Sequence, residues 1–551
     1  MTETVPPPPN TTSEKVEQNG TDVPAAKKVK QPKKFVRKYR PKAVDPTAPM
    51  GVLQYEIKDI LKGHLLTEND IQNDMKEVLN DSAAQDIYHR VVDDVEISRL
   101  SSNGDGIALI PHPVNSDKKQ IVLIPFGFPG DTVSIKVFKT HPLYAESDLL
   151  KVTKQAPVRN EDLILCKYFG KCSGCQYQNV EYETQLEFKR QTIVNAYKYF
   201  APLSSAGKLP EVGKTQSSPL QYTYRTKLTP HFDVPRRIPA DYVRPSFGFG
   251  LKGRPQWRET EGGSQLIVDI ESCPIGTEIV NKGFKNERAR YVEEFKKYKK
   301  GSTVLLRENT TKVEENGLFD TGNASTDAEN KTSEIETEIE GIKYVKTCVT
   351  EPRQVVREVV NNYTFEFSAG EFFQNNNLIL PIVTDYVKQN LQIKGSGPDE
   401  PNYLVDAYCG SGLFSITCLS GVSKVIGVEV SADSVKFAER NAKLNGIENA
   451  KFIVGKAEEI FKNIDTPANR TAVILDPPRK GCDHVFLNQL AAYCPAKIVY
   501  ISCNVHSQAR DIEWFLNETT EGARYAVESL KGFDFFPQTH HVESVAVLTL
   551  N

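Results

Sequence analysis

The first clear pattern along the chain is a series of short apolar runs between residues 92 and 158. Representative runs are Ile107–Ile110, Ile121–Pro125 and Val133–Val137, and glycines separate them. Short runs divided by glycine turns are typical of small β-barrels, and barrels of this kind often bind RNA on an open face. The pattern predicts such an OB-like barrel, with a barrel that binds no ligand as the alternative.

After about Ser368 the pattern changes to apolar strands separated by segments of helix length. The predicted strands are Tyr403–Ala407, Lys424–Glu429, Ala450–Val454, Ala472–Asp476 and Ile498–Ser502. Strands that alternate with helices form parallel crossover units, so we expect an α/β fold with a doubly wound, Rossmann-like sheet. In one intervening segment, residues from Val435 to Asn445 recur at helical spacing, and Gly446 marks the end of that helix.

These changes of pattern divide the chain into five predicted segments. They are a disordered basic tail (1–48), a helical lead-in (49–91), the barrel (92–158), a mixed α+β central domain (159–370) and the C-terminal α/β domain (371–551). The tail is too poor in apolar residues to offset the entropy of ordering. The acidic stretch near 308–340 is rich in Ser, Thr and Asn, and it predicts an exposed disordered insertion.

The formal charge of −3 conceals two strongly charged segments. Lys27–Lys42 contains nine Lys or Arg residues and no acid, whereas Val313–Glu340 contains nine acids and one Lys. The basic segment predicts a solubilising tail, a nuclear import signal or an arm that tethers RNA. No apolar run of about 18 residues or signal-peptide pattern is present, so no membrane association is expected. The expected location is intracellular, in nucleus or cytoplasm, with a mitochondrial share left open.

A glycine-containing loop follows the first strand of the predicted sheet. It lies in Asp406–Phe414 and includes Gly410 and Gly412. Ligands of such sheets lie beyond the carboxyl ends of the strands, where glycines let the backbone approach closely. Glu429 ends the next strand, where a carboxylate can accept hydrogen bonds from both ribose hydroxyls. Ser415 replaces the third glycine of the dinucleotide pattern, which favours S-adenosyl-L-methionine over NAD. A glycine turn beside a chance acid is the remaining alternative.

Three further segments follow predicted strands and would meet at one crevice. They are Asp476–Gly481, Ser502–Asn504 and His541–Glu543. The combination fits methylation of uracil at C5, a carbon that is unreactive until a thiolate adds at C6 and that must then lose its proton to a base. Cys503 supplies the thiol and Glu543 the base, and Asp476 and Arg479 can hydrogen-bond the imide edge and stabilise the enolate. Taken singly, Cys503 is equally consistent with a core thiol and Glu543 with a solvated charge.

Taken together, five segments resemble the signature blocks of the RNA uracil-C5-methyltransferase family, in that family's order. They are Phe367–Asn376, Asp406–Phe414, Asp476–Gly481, Ser502–Asn504 and His541–Glu543. The resemblance extends over about residues 90–551. It implies that Cys503 is the nucleophile and Glu543 the proton acceptor, and that the 92–158 barrel is an RNA-binding TRAM domain. It also implies that four residues contact S-adenosyl-L-methionine: Gln374, Tyr408, Glu429 and Asp476. Leu413 stands where some bacterial members carry Asn, so that contact is not transferred.

The basic tail and the acidic insertion resemble the fungal branch of this family, which acts on uridine 54 of tRNA. The resemblance therefore implies tRNA as the partner, and no obligatory protein partner is inferred. The alternatives are 5-methyluridine formation in ribosomal RNA, methylation of another acceptor such as an exocyclic amine by the same fold, and a non-catalytic RNA-binding or chaperone role.

Cys166, Cys172 and Cys175 lie close together in sequence, and Cys273 follows far downstream. Three closely spaced thiols and one distant thiol can form a four-sulfur shell for a zinc ion or an iron–sulfur cluster, and unrelated thiols are the alternative. The spacing also resembles the 4Fe-4S motif of the family's ribosomal branch. The resemblance thus implies a 4Fe-4S cluster, with zinc as the alternative.

A uridine in a stacked loop must be extruded before attack at C6, at a cost of a few kcal/mol. Contacts to RNA phosphates would offset that cost. The basic candidates are Arg225, Lys227, Arg244, Lys252, Arg254 and Arg258, the last beside Trp257. Each of them is also consistent with a solvated surface charge.

Overall fold

A computed structural model describes the protein over residues 36–41, 43–207, 209–234, 237, 244–253, 266–313, 334–393, 402–456, 460–461 and 464–551. Most of the predicted basic tail and most of the acidic insertion lie outside these residues, as do Arg254, Trp257 and Arg258. None of the described helices is long and apolar enough to cross a membrane.

The lead-in, described throughout residues 49–91, is helical. Its helices are α1 (Pro49–Gly63), α2 (Met75–Asn80) and α3 (Ser82–Tyr88). Pro49 begins α1, where the missing N–H of proline costs no helical hydrogen bond. Leu53 and Ile57 pack against Ile107 and other apolar side chains of the barrel, whereas Val52 belongs to the core of the C-terminal domain. The first helix therefore joins the barrel to the C-terminal domain.

Residues 91–154, all of which are described, form the predicted barrel. Its strands are β1 (Val91–Glu96), β2 (Arg99–Leu100), β3 (Asp105–Pro111), β4 (Lys119–Pro125), β5 (Thr132–Thr140) and β6 (Ala145–Lys154). They pair in the order β1-β5-β6-β4-β3-β2. The three representative apolar runs lie in β3, β4 and β5. Val133, Ile135 and Val137 alternate with less buried residues, as expected for a strand with one face in the core.

The central segment, 159–370, combines helices with several small antiparallel sheets. Its helices are α4 (Tyr182–Phe200), α5 (Pro202–Ser205) and α6 (Glu278–Glu294). Its strands are β7 (Val212–Gln216), β8 (Lys227–Leu228), β9 (His231–Asp233), β10 (Gly248–Gly250), β11 (Ile267–Asp269), β12 (Gly301–Thr303), β13 (Leu306–Lys312), β14 (Ile335–Ile339), β15 (Ile342–Val349), β16 (Val355–Val360) and β17 (Tyr363–Ser368). The sheets have the orders β11-β10-β9-β12 and β14-β15-β13-β8, and β16 pairs with β17.

The prediction of a disordered insertion near 308–340 is wrong at both ends of that range. Strand β13 covers its start and β14 its end, and both pair with β15. Glu308 is buried and forms an ion pair with Lys346 at 2.6 Å. In β14 the more exposed Glu336 and Glu338 alternate with Ile and Thr, which is the period of a strand with one polar face. The acidic composition concealed that alternation.

The C-terminal segment forms the predicted α/β sheet. Its helices are α7 (Leu380–Asn390), α8 (Leu413–Thr417), α9 (Ala432–Leu444), α10 (His484–Tyr493) and α11 (Val505–Glu518). Its strands are β18 (Tyr403–Ala407), β19 (Lys424–Glu429), β20 (Ala450–Val454), β21 (Thr471–Leu475), β22 (Lys497–Ser502), β23 (Tyr525–Phe533) and β24 (Glu543–Leu550). The sheet order within the described residues is β20-β19-β18-β21-β22-β24-β23-β7. The five predicted strands are present, to within a residue at their ends, and pair in parallel.

Two features of this sheet differ from a simple parallel arrangement. Strand β24 runs antiparallel between β22 and β23. Strand β7, from the segment predicted as the central domain, pairs in parallel with β23 at the edge of the sheet. Phe365 and Phe367 of β17 also belong to the core of the C-terminal domain. The predicted boundary at 370/371 therefore does not separate two independent cores.

Candidate active site

The residues predicted to carry chemistry lie where strands end at one edge of the C-terminal sheet. Glu429 is the last residue of β19, whereas Tyr408, Asp476 and Cys503 follow β18, β21 and β22. Because the strands are parallel and in register, their carboxyl ends meet at the same edge. Strand β24 runs the other way, so its first residue, Glu543, lies at that edge as well.

Strand register brings Cys503 and Glu543 together. In the antiparallel pair of β22 and β24, Ser502 lies opposite Ser544. Cys503 and Glu543 are the next residues outward from that pair. They are close enough for the charge of Glu543 to raise the pKa of the Cys503 thiol. A thiol and a carboxyl group thus point into the same crevice.

Cys503 is solvent-accessible, unlike the buried Cys409, Cys418 and Cys482. Desolvation of its sulfur, together with the nearby carboxylates of Glu543 and Asp476, raises the pKa of the Cys503 thiol to about 12. The Arg479 guanidinium acts in the opposite direction through its charge and a hydrogen bond to the thiol. The thiol is therefore protonated in this state, and its ionisation depends on positive charge brought close to it.

Glu543 is a buried carboxyl group, 7% exposed. Burial and the neighbouring Asp476 raise the pKa of Glu543 to about 8, and Arg479 partly opposes this. Burial and Asp406 likewise raise the pKa of Asp476 to about 7. A carboxyl group with a pKa near neutrality can both accept and release a proton under physiological conditions, as a general base must.

The loop that carries Arg479 is fixed by the start of α11. Asn504 donates from its side-chain amide to the Arg479 carbonyl at 2.9 Å, and its side-chain oxygen caps α11. Arg510 donates to the Lys480 carbonyl at 2.7 Å, and the Cys482 N–H donates to Asp511 at 2.7 Å. These bonds hold the exposed Arg479 beside Cys503.

The glycine loop has the unusual backbone that a close ligand requires. Tyr408, Gly410 and Gly412 have φ values of 68°, 54° and 91°, a region that is costly for residues with a side chain. The Gly410 N–H donates to the Glu429 carboxylate at 3.2 Å, and the Ser431 N–H donates to it at 2.9 Å. The Tyr408 ring packs edge-on against a neighbouring aromatic ring of α10.

Two observations show that this loop fits a cationic ligand. The buried Asp406 receives a 2.6 Å hydrogen bond from Ser415 on one carboxyl oxygen, and the other oxygen has no hydrogen-bond partner among the described residues. A Cβ at Gly410 would meet open space. Desolvation raises the pKa of Asp406 to about 7 despite its bonds to Ser415, so a positive charge nearby would stabilise the carboxylate. S-adenosyl-L-methionine carries such charge on its sulfonium and amino groups.

Gln374 lies half-buried in the loop after β17. The preceding Phe373 stacks on Phe367 with ring centroids 4.3 Å apart. Asn441 of α9 donates both to the Glu366 carbonyl in β17 and to the Ser411 carbonyl in the glycine loop, each at 3.0 Å. The end of β17, from which the Gln374 loop continues, is thereby tied to the glycine loop.

The four predicted metal-ligating cysteines are near enough to affect one another's ionisation. Burial is the main cause that raises the pKa of Cys172 to about 12 and of Cys273 to about 11, and nearby Cys166 adds to both shifts. Burial and the other three thiols also raise the pKa of Cys175. Over the described residues, however, no three His, Cys, Asp or Glu side chains are placed to bind one metal ion together.

The predicted phosphate contacts have different surroundings. Arg244 forms an ion pair with Asp269 at 2.7 Å, and Lys252 forms one with Asp105 at 2.8 Å. Arg225 lies over the Phe536 ring, and Lys227 donates to the Gly370 carbonyl at 3.3 Å. Arg225 and Lys227 therefore remain the stronger candidates, because over the residues that the structure describes they contact an aromatic ring and backbone carbonyls.

Comparison with known proteins assigns the chain to a family. Residues 341–551 match the tRNA (uracil-5-)-methyltransferase model, and residues 88–150 match the TRAM domain. The chain is 56% identical over 538 residues to the tRNA (uracil(54)-C(5))-methyltransferase of Saccharomyces cerevisiae, which covers 95% of this chain and 84% of the relative. The chain belongs to the tRNA (uracil-5-)-methyltransferase family. The resemblance drawn from the signature segments is thus confirmed, and so is the TRAM domain.

A second relative supports membership of the tRNA (uracil-5-)-methyltransferase family, and a solved structure shares the fold. The tRNA (uracil(54)-C(5))-methyltransferase of Schizosaccharomyces pombe is 44% identical, with 83% of this chain and 78% of the relative covered. The crystal structure of Pyrococcus abyssi tRNA (uracil-54, C5)-methyltransferase with S-adenosyl-L-homocysteine is 23% identical, has a TM-score of 0.55 and covers 83% of this chain and 100% of its own. At that identity the likeness establishes the shared fold.

Sequence reasoning missed several residues that support this family site. It treated Ser415 only as a missing glycine, although the Ser415 hydroxyl bonds to Asp406. It also passed over Gln176 and Gln185, which contact the loop leading to Glu543. A hydroxyl on the helix facing a buried aspartate could have been found from the sequence. The two glutamines could not, because they lie more than 350 residues from their partners.

Proposed function

We propose that this chain transfers the methyl group of S-adenosyl-L-methionine to C5 of uridine 54 in tRNA, forming 5-methyluridine. The observation that carries the proposal is the strand pairing that brings Cys503 and Glu543 close together, at the edge where the glycine loop also lies. Curated relatives in two yeasts carry the name of this activity. Amine methylation needs no covalent thiol, so an accessible cysteine facing a buried base favours a ring carbon as the acceptor.

In this proposal Cys503 starts the reaction. Its exposed thiol loses its proton to solvent. The thiolate then forms a bond from Sγ to C6 of the uracil, and the electrons of the C5–C6 double bond move to C5 and the O4 enolate. The cofactor, when bound, supplies an electrophilic methyl group beside C5. Arg479 lies where it can stabilise both the thiolate and the enolate oxygen, since its charge already favours ionisation of Cys503.

Glu543 completes the reaction. It accepts the proton from C5, the electrons of that bond restore the C5–C6 double bond, and the C6–S bond breaks to return the electron pair to sulfur as a thiolate. The raised pKa of Glu543, about 8, strengthens it as a base. The nearby Asp476 contributes to that shift and is placed to contact the cofactor or the imide edge.

The same proposal assigns the cofactor to the carboxylates and the glycine loop. Tyr408, Glu429 and Asp476 lie at the ends of three adjacent strands, and Gln374 lies in the loop tied to them through Asn441. Glu429 is suited to the ribose hydroxyls, because its position ends the strand next to the glycine loop.

We also propose that Cys166, Cys172, Cys175 and Cys273 bind a 4Fe-4S cluster. Cys166, Cys172 and Cys273 lie close enough to Cys175 to raise the pKa of its thiol, and three closely spaced thiols with one distant thiol can form a four-sulfur shell. Anaerobically purified protein should contain iron and show visible absorption. One equivalent of zinc without iron would indicate that the cysteines bind a zinc ion and no cluster.

For location we propose that the basic segment Lys27–Lys42 directs the chain partly to the nucleus. Deletion of residues 1–45 should then shift a tagged protein toward the cytoplasm. A deletion variant that stays nuclear would reject the import signal.

The experiment that tests the main proposal compares wild type with Cys503→Ala on a tRNA transcript and on the same transcript containing 5-fluorouridine. Wild type should methylate the first and remain covalently attached to the second, because fluorine cannot leave C5 as a proton. Cys503→Ala should do neither, whereas Cys494→Ala, at a half-buried cysteine away from the strand edge, should do both. Methylation at full rate by Cys503→Ala would reject the mechanism.

A further inference from the structure

The loop that leads to Glu543 is held by residues far away in the sequence. This base loop, residues 534–542, connects β23 to β24 and ends at the general base. The Gln176 and Tyr177 N–H groups both donate to the Gln538 carbonyl, at 2.9 and 3.1 Å. The side chain of Gln185 in α4 pairs with Gln538 through two further bonds, each 3.1 Å long.

The backbone of the base loop needs such support. Gln538 has φ 71°, a conformation that is strained for a residue with a side chain and persists where surrounding contacts enforce it. Gln538 and Gln185 are almost fully buried, so their amide groups need hydrogen-bond partners, and each supplies one for the other. At the start of the loop, the buried Lys189 of α4 forms an ion pair with Asp534 and donates to the Phe536 carbonyl.

Gln176 makes the contact closest to the base. Its amide nitrogen donates to the Ser173 carbonyl at 3.1 Å, which turns its amide oxygen toward His540. That oxygen accepts from the His540 backbone N–H at 3.3 Å and lies 3.2 Å from the His540 ring Nδ1. His540 is three residues before Glu543, and a Cβ on Gly104 of the barrel would come within 3.0 Å of it. His540 is thus confined from two sides.

We propose that Gln176, supported by Gln185, is a positioning residue that places Glu543 for removal of the C5 proton. The inference rests on the proposed function. Gln176 directly follows Cys175, and the Cys166 N–H donates to Gln178 at 3.1 Å. The cysteine segment is therefore continuous with the residues that hold the base loop.

The proposal predicts a specific defect. Addition of Cys503 and methyl transfer precede proton removal, so a misplaced Glu543 leaves the methylated ring attached to Cys503. Gln176→Met keeps the side-chain length and removes the acceptor for His540. Turnover should fall about ten- to a hundredfold, as a small misplacement of a reacting group can produce. A protein–RNA complex that survives denaturant should accumulate on ordinary uridine-containing tRNA.

The test uses the full-length chain, S-adenosyl-L-methionine and an unmodified tRNA transcript. Glu543→Gln is the reference for a lost base. Gln176→Glu, which retains an oxygen toward His540, should recover most of the turnover. Gln191→Ala is the matched control and should behave as wild type, because Gln191 is an exposed residue of α4 whose side chain donates to Asn195. Gln185→Met should reproduce the defect of Gln176→Met through the other support of the loop.

The outcomes distinguish a failure of the positioning role of Gln176 from a failure of the proposed function. Accumulated complex with both Glu543→Gln and Gln176→Met supports the positioning role. A different result would reject the positioning role: Glu543→Gln accumulates the covalent complex, but Gln176→Met lowers complex and product in parallel. The proposed function would still stand. Absence of complex with Glu543→Gln rejects the assignment of Glu543 itself.

Discussion

The nucleophile and the base lie close together, yet different regions of the molecule hold them. Cys503 is fixed mainly from within the C-terminal domain: Ser502 ends β22 and accepts from the Asn504 N–H, and Asn504 caps α11 and donates to the Arg479 carbonyl. Glu543 follows a loop whose supports include Gln176, Gln185 and Lys189 of the central segment. A nucleophile held within the C-terminal domain and a base held from the central segment should be lost separately when either support is removed.

Removing the nucleophile should give the largest effect, because it stops both steps. Cys503→Ala is expected to lower turnover by roughly 10⁴-fold or more, in the range seen when a covalent nucleophile is deleted. Transfer of labelled methyl groups to tRNA measures the loss. No covalent protein–RNA complex should form at any pH. A covalent complex through another residue would show that Cys503 is not the nucleophile.

Removing the base should stop only the second step. Glu543→Gln is expected to lower turnover by about 10²–10⁴-fold, the usual contribution of general base catalysis. Denaturing gel electrophoresis should show the variant attached to ordinary tRNA. If product and attached complex disappear together, Glu543 acts before methyl transfer and the division into two steps is wrong.

Weakening the cofactor loop should lower the affinity for the cofactor and so affect methyl transfer, not proton removal. Ser415→Ala removes the 2.6 Å hydrogen bond to the buried Asp406. Loss of a buried bond to a charged group costs about 1–3 kcal/mol, so the dissociation constant for S-adenosyl-L-methionine should rise roughly tenfold. Isothermal titration calorimetry measures this, with Ser420→Ala at an exposed position as the control. An unchanged affinity would show that Asp406 does not contribute to cofactor binding.

The smallest expected effect concerns stability and pH. The pKa of Glu543 is raised in the folded protein from 4.5 to about 8, so the folded state binds more protons than the unfolded state between these values. Stability from this group is therefore lost as pH rises through that window. Glu543→Gln should unfold a few degrees above wild type at pH 8.5 and differ less at pH 5, measured by calorimetry. The exposed Glu518→Gln should show no such dependence.

Periodicity and motif spacing identified the parts of this architecture that are encoded locally. The strands around Asp406, Asp476 and Cys503 were predictable because each apolar run is continuous and its functional residue follows directly. The entry of β7 into the C-terminal sheet was not predictable, because it depends on pairing with β23 more than 300 residues away. Strand β14 was missed because an acidic composition outweighed its alternation.

The candidate site shows the same division. The nucleophile, the base and the cofactor residues could be named from their segments, whereas their environment could not. The pKa of Glu543 depends on Asp476 and Arg479, which reach it only in the folded sheet. The supports of the base loop, Gln176 and Gln185, carry no local signal, because a glutamine on a helix or turn is most often at the surface.

The central claim is that Cys503 bonds transiently to the uracil ring while the methyl group is transferred. Peptide mapping by mass spectrometry of the complex formed with 5-fluorouridine tRNA and S-adenosyl-L-methionine tests it most directly. The account predicts a single modified peptide containing Cys503, bearing a fluorinated and methylated pyrimidine. Attachment at another residue, or methylation of ordinary tRNA by an enzyme that never forms the complex, would contradict it.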